Sequence, residues 1–261
     1  MLRPHLVKFQ MYYGDGIASP VFDGGHVDQV VALGAAVVIF RTSEHRISDH
    51  DVDQQLGPLA PLIQRYRQQG SPVEFWLEVG NEPDLTGLDP WVTRWHLLNT
   101  RRALAPRYQA ELPTLRWMAS LPTKAGGEAY LQTILGDAGD GLGTLADGPH
   151  RYDALGVHVY GFDSLDPGDG NDPWFTLNRA LATPLPLFVT EAGINAPLPW
   201  EEKARRYTTF LALAPPRVQG ITWFTLSRDP QWVSATHYGI DVDPSGTVDP
   251  RFAGCAVLAS A

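Results

Sequence analysis

Short apolar runs rich in β-branched and aromatic residues recur along the chain, each followed by a longer stretch in which apolar residues repeat with a helical period. The runs at 5–11, 36–41, 73–80, 115–120, 153–160, 186–191 and 218–226 predict strands. Between them, 26–34, 52–69, 90–106, 127–137, 174–182 and 200–214 predict helices, the last opening on Pro199-Trp200-Glu201-Glu202 with two acids in its first turn. Such alternation argues for a parallel sheet with crossover helices. The length of 261 residues suits a single domain spanning 1–261 and matches the ~250 residues of an eight-fold β/α barrel.

Seven strands are visible where a closed barrel of this class has eight. The shortfall lies in the first third, because the span from Arg41 to Val73 holds one helix and no further strand-helix unit. Either a very short strand lies near Thr42 to Ile47, or the barrel is irregular there. The Gly/Asp/Pro-rich stretches 14–25, 136–149 and 163–173 read as loops; the first and third follow strands and so belong at the C-terminal mouth of the barrel.

Two glutamates each close an apolar run: Glu82 ends WLEVGNEP and Glu191 lies in PLFVTEAG, 109 residues later. Strand ends of a parallel barrel converge on one mouth, so the two carboxylates can face each other across a substrate, as two-carboxylate glycoside hydrolysis requires. Side-chain alternation along 73–82 sets Trp76, Glu78, Gly80 and Glu82 on one face and Leu77, Val79 and Asn81 on the other. Glu78 and Glu82 are thereby expected to point toward the barrel axis, with Arg41 or another inward cation pairing Glu78. Pro83 is expected to hold Glu82 in extended geometry.

Composition narrows the partners. Net charge is −9 and no Lys/Arg run forms an electrostatic footprint, which argues against nucleic acid or an anionic membrane. The eight tryptophans offer flat apolar faces of the kind that stack on sugar rings, with Trp174, Trp200 and Trp232 as candidates to line a cleft. Cys255 is the single cysteine, excluding an internal disulfide and a cysteine cluster for zinc. His45, Asp49, His50 and Asp51 cluster without a zinc spacing, and a polar helix start capped by Asp51 or Asp53 accounts for them; no metal is expected. With no basic-then-apolar leader and no run of 18 apolar residues, the sequence as it stands reads as cytoplasmic, and as secreted if a leader was trimmed. Oligomeric state is not written in the sequence.

The segment Trp76 to Asp84, above all Gly80-Asn81-Glu82-Pro83, resembles the fourth-strand motif of the clan A retaining glycoside hydrolases, a group of (β/α)8 barrels. Further matches follow in that clan's order: Arg41 after Ala32-Leu33-Gly34, His158 and Tyr160, Glu191, then Trp223. The closing stretch from His237-Tyr238-Gly239-Ile240 to Pro250-Arg251-Phe252 is also similar. The resemblance implies a compact (β/α)8 TIM barrel in which Glu82 is the acid/base and Glu191 the nucleophile. It implies supporting roles for Arg41, Asn81, His158, Tyr160 and Trp223, an oligo- or polysaccharide substrate, and no cofactor. Arg41 and the Tyr160 hydroxyl are expected to favour an ionised Glu191. Glu78 is expected to stand behind the site.

The alternative is a catalytically silent barrel that keeps a carbohydrate groove; the presence of both carboxylates, Asn81 and Tyr160 favours the enzyme. Aldol or isomerase chemistry would want a lysine base, a phosphate loop or a metal. Of the three lysines, Lys8, Lys124 and Lys203, only Lys8 lies on a predicted strand, where it reads as a solvated edge residue. Short loops are expected to leave an open groove suited to endo attack.

Overall fold

The computed structural model describes residues 6–10, 13–14, 17–18, 25–42, 47–162, 164–168, 170, 173–194 and 198–223. The strands in chain order are β1 (Leu6–Gln10), β2 (Tyr13–Gly14), β3 (Ile17–Ala18), β4 (Val37–Arg41), β5 (Glu74–Val79), β6 (Leu115–Ser120), β7 (Ala154–Tyr160), β8 (Leu187–Gly193) and β9 (Val218–Trp223). Seven of them pair in parallel in the order β1-β4-β5-β6-β7-β8-β9, while β2 and β3 make a small antiparallel pair at the start of the first stretch expected to be loop. The ends of the sheet approach each other, since a Cβ added at Gly220 of β9 would come within 2.8 Å of Leu6 Cδ2 on β1. The result is a nearly closed barrel of the (β/α)8 type, one strand short among the described residues.

Among the described residues no strand lies between β4 and β5. β4 pairs directly with β5, from Val37 opposite Glu74 to Arg41 opposite Glu78, and the Thr42 amide continues the ladder by donating to the Glu78 carbonyl at 2.9 Å. No sheet position is left between them for a short strand near Thr42 to Ile47; residues 43–46 themselves lie outside the described residues. The irregular barrel is the arrangement observed.

Helices α1 (Gly25–Ala32), α2 (Asp49–Leu56), α3 (Ala60–Gln68), α4 (Pro90–Glu111), α5 (Gly127–Leu135), α6 (Trp174–Ala180) and α7 (Trp200–Leu213) fill the crossovers. The single helix expected at 52–69 is α2 and α3, separated by a tighter turn at Gly57-Pro58-Leu59, where Pro58 has no amide to continue the ladder. α2 starts earlier than expected because Ser48, rather than Asp51 or Asp53, caps it by accepting from the Asp51 amide at 3.2 Å. α4 runs through Pro106 to Glu111, past the expected end at 106. The carbonyl that Pro106 cannot bond belongs to Arg102, an exposed residue, so water can take it. Asp89 caps the start of α4 by accepting from the Trp91 and Val92 amides at 2.8 and 3.2 Å, with Pro90 in the first turn. No described helix is long and apolar enough to cross a membrane.

Alternation sorts the strand side chains as the period of two demands. Phe40, Phe75, Leu77, Val79, Trp117, Leu155, Val157, Leu187 and Val189 face the helices in the large core, while Ile39, Trp76, Met118, Ala154 and Phe188 pack together inside the barrel with Leu6 and Val37. Trp76 and Phe188 meet with ring centroids 4.9 Å apart. This apolar plug closes the barrel's lower half. The next inward position of β1, β5 and β7 toward the mouth holds Lys8, Glu78 and Gly156.

Candidate active site

At the mouth, five strands deliver ionisable side chains to one spot. Glu78 is buried at the layer above the plug, its Oε1 accepting from the Thr190 hydroxyl at 2.7 Å and its Oε2 paired with Lys8 Nζ at 2.9 Å. Burial works against its charge, but the Lys8 ammonium, His158 and Thr190 outweigh it and hold the carboxyl at about 2. The partner of Glu78 is therefore Lys8 and not Arg41. Lys8 is no solvated edge residue either, because closure of the barrel leaves its side chain 8 % exposed.

Gly156 makes room for this carboxylate. A Cβ there would collide with Glu78 Oε1 and lie 3.0 Å from Met118 Sδ. Gly156→Ala is expected to lower stability by about 1–3 kcal/mol through overpacking, measured as a fall in the denaturant midpoint at unchanged m-value.

Glu191 reaches the site through an irregularity. Phe188 and Thr190 point inward, so strict alternation would turn Glu191 toward the helices. Instead the β7–β8 register jumps from Val157 opposite Val189 to His158 opposite Glu191, and β9 shows a matching shift between Val189 and Ala192. This bulge admits one extra residue and points Thr190 and Glu191 both into the barrel. Glu191 Oε1 accepts from Arg41 Nη1 at 2.8 Å and from Lys8 Nζ at 3.0 Å, while Oε2 accepts from the Tyr160 hydroxyl. Against burial, His158, Lys8, Arg41 and Tyr160 hold the carboxyl well below the usual carboxylate range.

Glu82 sits differently. β5 ends at Val79, Gly80 takes φ +90°, and Glu82 takes φ +39°, the left-handed region rather than the extended geometry expected before Pro83. Such a conformation costs a residue with a side chain about 1–3 kcal/mol and is held only where its surroundings impose it. Here the Leu85 amide donates to the Glu82 carbonyl at 2.9 Å, and Asp84 ties the loop to the next one by accepting from the Thr123 and Gly126 amides at 2.9 and 2.8 Å. The broken alternation also swings Asn81, expected on the outer face, so that its Oδ1 accepts from Arg41 Nη1. The Glu82 side chain keeps 18 % of its surface exposed, the most open of the three glutamates.

His158 stands between them. Its Nδ1 lies 3.1 Å from Glu82 Oε1 and 3.6 Å from Glu191 Oε2; its Nε2 lies 3.1 Å from Lys8 Nζ and 3.7 Å from Glu78 Oε1. A neutral ring donates from Nδ1 to Glu82 and accepts from Lys8, whereas a protonated ring exchanges the Lys8 contact for Glu78. Burial opposes the charged ring and Lys8 repels it, yet Glu191 with Glu78 and Glu82 prevails and pushes the imidazole up to about 9.

One carboxylate oxygen of Glu82, one of Glu191 and a ring nitrogen of His158 all lie within 4.8 Å of one another, close enough to hold a metal ion. The fit is poor, because Arg41 and Lys8 already place two cations on the Glu191 carboxylate. Among the described residues the structure thus assembles Arg41, Glu78, Asn81, Glu82, His158, Tyr160 and Glu191. Trp223 ends β9 in register with Ala192, the residue after Glu191. Trp174 is buried against Phe210, ring centroids 5.3 Å apart, and does not line the cleft. Exposed tryptophans occur instead at Trp91 and Trp95, on the first turns of the helix that follows Glu82. Trp232 and the closing stretch from His237 to Phe252 lie outside the described residues.

No family profile matches the sequence and no curated protein does. Solved structures do share the fold. A GH128 (subgroup II) endo-β-1,3-glucanase from Sorangium cellulosum aligns with a TM-score of 0.59 at 14% identity, over 99% of this chain and 91% of that one. A GH30 endoxylanase from Clostridium papyrosolvens gives 0.56 at 18% identity, covering 97% of this chain and 64% of that one. A GH128 (subgroup I) endo-β-1,3-glucanase from Amycolatopsis mediterranei, in complex with laminaritriose, gives 0.53 at 16% identity over 98% and 99%. These are clan A endo-glycanases with (β/α)8 barrels, and at such identities the likeness is one of fold.

Proposed function

We propose that the chain is a retaining glycoside hydrolase acting on a neutral β-glycan, with Glu191 as nucleophile and Glu82 as acid/base. The observation that carries this reading is the unequal setting of two neighbouring carboxylates. Glu191 is clamped by two cations and a tyrosine hydroxyl, which keeps it ionised; Glu82 keeps 18 % of its side chain exposed and touches His158 alone among the cationic residues described. One oxygen of Glu82 lies within 4.8 Å of one of Glu191, which accords with the ~5–5.5 Å carboxyl separation of retaining enzymes.

In the first step a Glu191 oxygen bonds to the anomeric carbon. The glycosidic bond breaks with its electron pair going to the leaving oxygen, which takes the proton of Glu82. In the second, water attacks the same carbon, gives a proton to the Glu82 carboxylate and releases Glu191. Asn81 is held by Arg41 next to Glu82 in the chain, and in this reading its amide supports the acid/base from within the site. The absence of a basic patch and the β-glucan and xylan specificities named for proteins of the same fold favour an uncharged polysaccharide.

The test is hydrolysis of laminarin, xylan, a β-1,4-glucan and aryl β-glycosides, with the anomer of the first-formed product read by proton NMR. A β product supports the double displacement, and an α product rejects it. Binding of these glycans without any cleavage would point to the silent barrel.

A further inference from the structure

Lys8 is the site residue that no motif announces. Its ammonium lies 2.9 Å from Glu78 Oε2 and donates to Glu191 Oε1 at 3.0 Å, with His158 Nε2 3.1 Å away. Two structural facts make this more than a buried ion pair. Lys8 shares Glu191 Oε1 with Arg41, so the two cations grip one oxygen from β1 and β4 and leave Oε2 to the Tyr160 hydroxyl. Glu78 cancels the charge that Lys8 adds, so the pair brings a donor to Glu191 without changing the net charge of the pocket. The other groups facing Glu191 among the described residues are His158 and Glu82.

We propose that Lys8 is a positioning residue for the nucleophile: anchored by Glu78, its ammonium fixes the orientation of the Glu191 carboxylate for attack. This rests on the reading of Glu191 as nucleophile. The competing account is that Lys8 serves Glu78 alone.

Replacing both members of the pair separates the two. Lys8→Met/Glu78→Gln removes one positive and one negative charge and leaves no buried charge unpaired, so circular dichroism and thermal unfolding should show a native protein. If Lys8 orients Glu191, this folded variant loses roughly 10²-fold in kcat with KM within about twofold, and Lys8→Arg, which keeps the cation, recovers most of the loss. A folded double variant with wild-type kcat overturns the proposal.

A second readout needs no turnover. In protein labelled with carbon-13 at the glutamate carboxyls, with Glu191 and Glu78 assigned from Glu191→Gln and Glu78→Gln spectra, Lys8→Met should raise the Glu191 titration by at least about one pH unit. Coincident titrations in wild type and Lys8→Met also overturn it. Absence of glycan hydrolysis by the wild type, with the titration shifted, would reject the glycosidase reading while leaving the Lys8–Glu191 coupling standing.

Discussion

Glu191→Ala should reduce kcat on any hydrolysed glycan by at least about 10⁴-fold, because without the nucleophile neither the bond-breaking step nor the covalent intermediate exists. Glu82→Ala should lose less, roughly 10²–10⁴-fold, the range of general acid–base catalysis. The two variants should also differ in kind. An aryl glycoside with a good leaving group needs little proton donation, so Glu82→Ala should still release the aryl alcohol in a burst and then stall at the glycosyl-enzyme. Glu191→Ala should show no burst on the same substrate. Because Glu191 balances Lys8, Arg41 and His158, Glu191→Gln is the better control for folding, and its activity should be equally low. Hydrolysis that survives in a folded Glu191→Gln protein would show that the nucleophile lies elsewhere.

The second large effect is on stability. The His158 imidazole is raised from 6.5 to about 9 in the folded protein, so its contribution is fully present below pH 6.5 and is lost as pH rises toward 9. Between pH 6.5 and 8 the loss is about 2 kcal/mol, at 1.36 kcal/mol per pH unit, or roughly 4–8 °C in Tm. Above pH 8 a second group opposes it: burial lowers Lys203 from 10.5 to about 8, so the folded state binds fewer protons than the unfolded one and the decline flattens. On the acid side, Glu78 at about 2 and Glu191 lower still stabilise fully above their ordinary value of 4.5 and less as pH falls below it. Tm against pH should therefore plateau between about 4.5 and 6.5. His158→Gln should remove the step between 6.5 and 8; an unchanged step in that variant would place its origin in another group.

Much of this was legible in the chain. Every barrel strand found among the described residues overlaps one of the seven apolar runs, and only β8 passes the end of its run, by two residues to Gly193, because a buried strand must be apolar over its own length and that requirement is local. Glu82 and Glu191 were visible as carboxylates closing such runs, and Arg41, His158 and Tyr160 through their order along the resembling strands. Lys8 was not. A lysine within LVKFQ has the same sequence signal on an exposed edge as inside a barrel, and the difference is made by Glu78, 70 residues away, and Glu191, 183 residues away.

The sequence by itself determined the alternation of strands and helices, the shortfall of one strand and the delivery of two glutamates to one mouth, since hydrophobic period and strand ends are properties of neighbouring residues. Tertiary structure decided which way those glutamates turn. The β8 bulge brings Glu191 inward against the period of two, and the left-handed backbone at Glu82 overrides the extended preference before Pro83. Both are set by register and loop packing between strands that meet only in the closed barrel, where the charge on β1 finds the carboxylates on β5 and β8 and a buried cluster of ions becomes affordable as a whole.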